Sequence, residues 1–211
     1  MHSEVWASGS AAAPATLLDV MTIRATSRIA QQAERIAAAA LVTVATAIAA
    51  QVSIPLPFTP VPFTFQPMIV LLGAMALGSR LGMTSQCLYL ALGVAGLPVF
   101  AASPILPQGV GRLIGPTGGY LMAYPAAAFV AGWLAERGFD RRYLTAVAAM
   151  ACGLAMIFAS GVTWLAVYVQ PGRGPAAALA AGLYPFIAAD VLKLLIAAAV
   201  MPRIWALTGR R

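Results

Sequence analysis

The order of apolar and polar positions along the chain predicts helices that live in lipid. Six long apolar runs follow one another at 34–52, 65–78, 81–99, 118–134, 144–169 and 176–201, separated by stretches that collect most of the prolines. Most of the runs approach the ~20 residues that a bilayer-spanning helix needs. The second is short and draws on the Pro-rich stretch before it. Backbone groups in lipid must be bonded within the segment, which selects helices over open sheet. A closed barrel would show ~10-residue alternating segments, and none is visible. The pattern therefore predicts an all-α integral membrane protein with six transmembrane helices.

Composition strengthens that picture. Of 211 residues, 61% are hydrophobic and 9% charged, against the ~25% charged residues of a soluble domain. Mean hydropathy is +0.86. The net charge of +7 would by itself suggest anionic partners, but its placement points to topology. With the N-terminus in the cytoplasm, ten basic residues fall inside: Arg24, Arg28, Arg35, Arg80, Arg137, Arg141, Arg142, Arg203, Arg210 and Arg211. Two, Arg112 and Arg173, fall outside, and Lys193 lies in a span. That bias is the positive-inside signature with both termini cytoplasmic, and no nucleic-acid partner is needed to explain it. Residues 1–33 read as a cytoplasmic tail ending in a short surface helix, without the apolar core of a signal peptide. Residues 34–205 read as one membrane domain, and 206–211 as a basic C-terminal tail. Cys87 and Cys152 both lie in spans and read as small core residues.

The outward loops differ in character. "QVSIPLPFTPVPFTFQP" carries five prolines from Pro55 to Pro67, with Phe58, Phe63 and Phe65 among them. Proline fixes φ and removes donors, so the segment is stiff, extended and apolar. It suits either a lid or an interfacial connector. The second loop, at about 96–118, is long and Gly/Pro-rich and carries Arg112. The phosphate-binding pattern G-x-x-x-x-G-K-[ST] is absent from the chain. The third, "VQPGRGP", reads as an ordinary turn.

The sharpest signal is "PFIAADVLKLLIAAAV", where Asp190 and Lys193 interrupt an apolar run. A charge at a helix centre costs ~2.5–3.5 kcal/mol on insertion scales. Residues three apart share a helix face, so the two form either a packing ion pair or the polar floor of an outward pocket. Asp190 accepts N–H bonds and Lys193 offers three donors, a set suited to a small molecule with N–H donors and a carboxylate. Pro185, a little over one turn earlier, is a candidate kink that frees carbonyls near the same place.

Four ordered segments, "IPLPFTPVPFTFQP", "YLALGVAGLPVFA", "GPTGGYLMAYPAA" and "GLYPFIAADVLK", resemble the signature segments of the BioY biotin transporter family. The resemblance runs from about residue 39 to 201. It implies the fold of a substrate-binding S component of an energy-coupling-factor (ECF) transporter, with an outward-facing pocket for biotin in a bacterial inner membrane. By similarity to the family's final-helix D-x-x-K, Asp190 would bind the ureido group and Lys193 would help hold the ligand's polar ends. Arg112 is a candidate clamp for the valerate carboxylate, or else a solvated loop charge. Tyr89 and Gln86, three apart on one helix face, are candidate pocket-wall groups, with interhelical hydrogen bonding the alternative for Gln86. Phe58 and Phe63 would close over the apolar part of biotin.

The resemblance also implies partners: a transmembrane T protein and two ABC-type ATPases, docked through a small-residue face of the first helix. In "AERIAAAALVTVATAIAA" the pairs Ala33/Ala37 and Ala45/Ala49 keep small-x-x-x-small spacing, which permits close helix approach in lipid. Internal bundle packing is the other use of the same alanines. A homo-oligomer acting without the module stays open. So does an S component of the same architecture for a different small vitamin-like carboxylate. An intramembrane enzyme would want a nucleophile with its base, a metal cluster or an aspartyl pair. The spans hold no histidine and, deep within them, one carboxylate. The reading is a transport subunit with no cofactor and no metal.

Overall fold

A computed structural model describes residues 16–22, 27–102, 108–169 and 174–208, and all six apolar runs are helical in it. A short α1 (Leu17–Thr22) precedes α2 (Arg28–Gln51). Strands β1 (Ser53–Ile54) and β2 (Phe63–Thr64) pair antiparallel, Ser53 opposite Thr64 and Ile54 opposite Phe63. Then come α3 (Gln66–Leu77), α4 (Ser79–Val94), the single turn α5 (Gly111–Ile114), α6 (Gly118–Ala135) and α7 (Tyr143–Trp164), which runs on as a π-helical turn, Leu165–Val169. The chain closes with α8 (Gly174–Gly182), α9 (Tyr184–Ala198) and α10 (Val200–Leu207).

The outward face of α2 is apolar, unlike that of a helix on a water-soluble bundle. On α2 the inward face is Ala39, Thr43, Thr46, Ala49 and Ala50, while Ile36, Leu41, Val44 and Ile48 point out and are more than half exposed. The inward threonines bond carbonyls and neighbouring helices: Thr43 donates to Ser85 O at 2.9 Å. An apolar outer surface with small and polar residues inside is the packing expected where lipid is the solvent. Three stretches, Arg28–Gln51, Tyr143–Val167 and Tyr184–Leu207, are long and apolar enough to cross a membrane. Cys87 and Cys152 lie on the outer faces rather than in the core, since lipid does not penalise a thiol there.

Helix α6 is the centre of the bundle, apolar on every side as a buried helix must be. Small residues bring its neighbours close. Gly132 lies against the backbone of Gly78 and Ser79. Gly78, at φ +84°, turns α3 directly into α4 through a conformation that glycine adopts without strain. Glu136, ending α6, accepts from Ser79 N (2.7 Å) and Ser79 Oγ (2.8 Å) and so caps α4. At the same end Trp205 Nε1 donates to the buried Asp140 at 2.5 Å, joining α10 to the α6–α7 turn. Here α1 folds back: Asp19 pairs with Arg35 at 3.0 Å and Leu18 is buried. Residues 16–22 of the expected tail thus pack on the bundle.

Apolar run 176–201 is not one helix. It breaks at Leu183, and Pro185 occupies the first turn of α9, where its missing N–H is harmless. The break exposes carbonyls at the end of α8. Ala181 O accepts from Thr59 Oγ1 at 2.6 Å and Gly182 O from Tyr120 Oη at 2.7 Å. The proline-rich loop is thereby tied down over this end of the bundle.

Candidate functional site

The starts of α3, α6 and α9 converge under the β1–β2 hairpin with α5, and a cavity lies between them. It holds about 670 Å³ of empty space including its open mouth. Val61, Pro62 and Thr64 roof it; Phe100, Tyr120, Tyr124 and Phe186 supply aromatic wall; Gln66, Arg112 and Asp190 supply polar groups.

Asp190 and Lys193 do meet, as an ion pair from Lys193 Nζ to Asp190 Oδ1 with both side chains about one-tenth exposed. Their roles divide. Asp190 lines the cavity. Lys193 does not: it borders a smaller crevice behind and is engaged by protein. Its ammonium donates to the Thr64 carbonyl at 2.7 Å and lies 3.7 Å from the Phe63 ring centroid. Lys193 is thus held among protein groups beside Asp190. It pairs with Asp190 and joins the hairpin to α9 through the Thr64 carbonyl and the Phe63 ring.

Arg112 is drawn inward. It is 4% exposed and lines the cavity, so the solvated-charge alternative does not hold. Its Nε has no hydrogen-bond partner among the described residues. A buried guanidinium without a partner is costly and suited to an anionic ligand group that binds it bidentately.

Other candidates sit elsewhere. Tyr89 is fully buried one layer behind the wall, edge-on to Phe100 and stacked on Tyr124. Gln86, also fully buried, donates to Ser85 Oγ at 3.2 Å and Thr46 Oγ1 at 3.4 Å, the interhelical use of that residue. Phe58 is 66% exposed and Phe63 covers Lys193, so Val61 and Pro62 do the roofing instead. Ala49 is buried in the bundle and Ala45 half-buried, whereas Ala33 and Ala37 are exposed. Helical rotation carries the second alanine pair inward.

Sequence reasoning missed Gln66 and the aromatic wall. Gln66 had a signal, a polar residue directly before Pro67 at the start of an apolar run. Tyr120 and Tyr124, four apart on α6, read like core.

An apolar-surfaced helical bundle enclosing a cavity lined by the Asp190 carboxylate and the buried Arg112 guanidinium, whose Nε has no hydrogen-bond partner among the described residues, defines a membrane-embedded small-molecule-binding protein. Comparison with known proteins narrows this. The BioY family profile matches residues 21–210. The probable biotin transporter BioY of Pyrococcus horikoshii is 37% identical over 173 residues, covering 82% of this chain and 97% of that protein. The biotin transporter BioY of Thermotoga maritima is 39% identical over 166 residues, covering 79% and 92%. The chain belongs to the BioY family. Its fold is shared by the crystal structure of the S-component for biotin from an ECF-type ABC transporter, with TM-score 0.72 and 24% identity over 82% of this chain and 92% of that one.

Proposed function

We infer that the chain is the biotin-binding S component of a vitamin uptake system. The observation that carries this is the buried Arg112 guanidinium, its Nε without a hydrogen-bond partner among the described residues, sharing a cavity with the Asp190 carboxylate. Such a cavity asks for a ligand with N–H donors at one part and an anion at another. Biotin has both, in its ureido ring and its valerate carboxylate, and its apolar bicycle suits walls of Phe and Tyr. Relatives named as biotin transporters support the same ligand. The subunit binds and carries; it catalyses no reaction of its own.

The proposed topology is six spans, α2, α3, α4, α6, α7 and α9–α10, with both termini cytoplasmic in a bacterial inner membrane. The arginine bias supports this orientation. Helix α3 has 12 residues and measures about 18 Å at 1.5 Å per residue, short of the ~30 Å hydrocarbon thickness. Val70, Leu71, Ala74 and Met75 are buried, so it needs little contact with lipid. In this reading a T protein and two ABC-type ATPases supply the energy and dock along α2, where Ala33 and Ala37 are exposed.

Uptake of labelled biotin at nanomolar concentration, in cells lacking their own biotin uptake, tests the proposal. Expressing the chain with an ECF module should give uptake that Asp190→Asn removes. Uptake at the level of empty cells would overturn the reading. Full uptake without any module would instead favour an oligomer of the chain acting alone.

A further inference from the structure

A chain of hydrogen bonds fixes the polarity of Gln66. The Tyr89 hydroxyl has one hydrogen, and it donates to Val99 O at 3.0 Å. The same oxygen lies 2.6 Å from the Gln66 amide. With its hydrogen committed, the hydroxyl can only accept there. The amide then presents N–H to Tyr89, with Nε2 on that side and Oε1 on the other arm. No described residue donates to Oε1. Tyr89 cannot easily turn to offer another arrangement, being fully buried with Phe100 edge-on at 5.4 Å and Tyr124 stacked at 6.4 Å.

The backbone that carries Gln66 is held too. Two residues earlier, Thr64 O accepts from Lys193, and Pro67 follows in the first turn of α3. Gln66 is 3% exposed and lines the cavity that Asp190 lines. A flexible amide that could present either a donor or an acceptor is thereby held as an acceptor.

We propose that Gln66 is a specificity-determining residue: its Oε1 is a second hydrogen-bond acceptor beside Asp190 for the ligand's N–H groups, with its orientation set by Tyr89. The proposal rests on the biotin reading and deepens it. A cyclic urea brings two N–H donors to two acceptors. An isostere with an acceptor in place of one N–H would face Oε1 unpaired, and a site built around a polar group rejects such a mismatch strongly.

The test uses the purified full chain and three probes: biotin and its two mono-N-methyl derivatives at the ureido nitrogens. In the wild type, methylating the nitrogen that meets Gln66 should weaken binding. Gln66→Leu should weaken biotin roughly tenfold, about the worth of one such hydrogen bond, and should erase the extra penalty for that one derivative. Tyr89→Phe keeps Gln66 but frees its amide, and should lose part of the same discrimination. It carries the test if Gln66→Leu does not fold, as judged by thermal unfolding and size exclusion. Loss of all three probes by one common factor, or no loss, would reduce Gln66 to a packing role and overturn the proposal. A wild type that binds none of the probes would take down the biotin reading with it. A wild type that binds biotin while both variants leave discrimination unchanged would take down the Gln66 proposal alone.

Discussion

Replacing Lys193 by Met removes the ammonium while keeping most of the stem. Three interactions go: the ion pair to Asp190, the bond to Thr64 O at 2.7 Å and the contact with the Phe63 ring at 3.7 Å. A hydrogen bond to a charged group contributes ~1.5–3 kcal/mol, a cation–π contact ~0.5–2 kcal/mol, and stranding one partner of a buried pair costs ~3–5 kcal/mol. These terms overlap, because the stranded Asp190 is the larger part of the penalty. The pair also borders a cavity mouth, which softens it. A loss of about 3 kcal/mol is the reasonable magnitude. At ~2–4 °C per kcal/mol for a chain of this size, the midpoint of thermal unfolding in detergent should fall by roughly 6–12 °C. Asp190→Asn/Lys193→Met removes both charges and should recover part of the loss relative to Lys193→Met. With the hairpin unclipped, biotin should also dissociate faster. An unfolding midpoint within a degree of wild type, or a double variant less stable than both singles, would refute the reasoning that Lys193 neutralises Asp190 and holds the hairpin.

Two further predictions concern the opposite end of the bundle. Burial pushes the Asp140 carboxyl above its ordinary 3.8, with the Trp205 hydrogen bond opposing. The folded state then holds this proton more tightly than the unfolded state. Stability contributed by Asp140 is therefore present at low pH and declines as pH rises from about 4 through the raised value. Asp140→Asn, which still accepts from Trp205, should flatten that decline in unfolding measured against pH; an unchanged slope would contradict it. Gly132→Ala would put a Cβ 2.5 Å from the Gly78 carbonyl carbon and 2.6 Å from Ser79 N. Such overpacking typically costs ~1–3 kcal/mol, so a lower unfolding midpoint is expected.

Hydrophobic runs found the helices because lipid imposes one strong rule on every segment that meets it. The finer breaks were less legible. The apolar run at 176–201 hides the end of α8, since what divides it is a pair of carbonyls taken by Thr59 and Tyr120 from other parts of the chain. Asp190 was plain in the sequence because a carboxylate in an apolar run has few explanations. Lys193 was equally plain as a residue, but its bond to the Thr64 carbonyl, on a strand 129 residues away in sequence, was not. Gln86 and Tyr89 share a helix face as their spacing implies, yet neither lines the cavity, because periodicity identifies a face without saying what stands against it. The same limit applies to Ala45 and Ala49. Arg112 was identified by its scarcity among outward charges; its burial depended on how α5 folds inward.

Equilibrium binding of biotin and of biotin amide to the purified chain tests the account most directly. The account predicts tight binding of the free acid. Loss of the ligand's charge should weaken the amide by roughly 10–100-fold, as expected for a ~1.5–3 kcal/mol charge-assisted bond, and Arg112→Leu should remove that difference. Equal binding of acid and amide would contradict the Arg112 clamp, and failure of folded protein to bind either would contradict the biotin site itself.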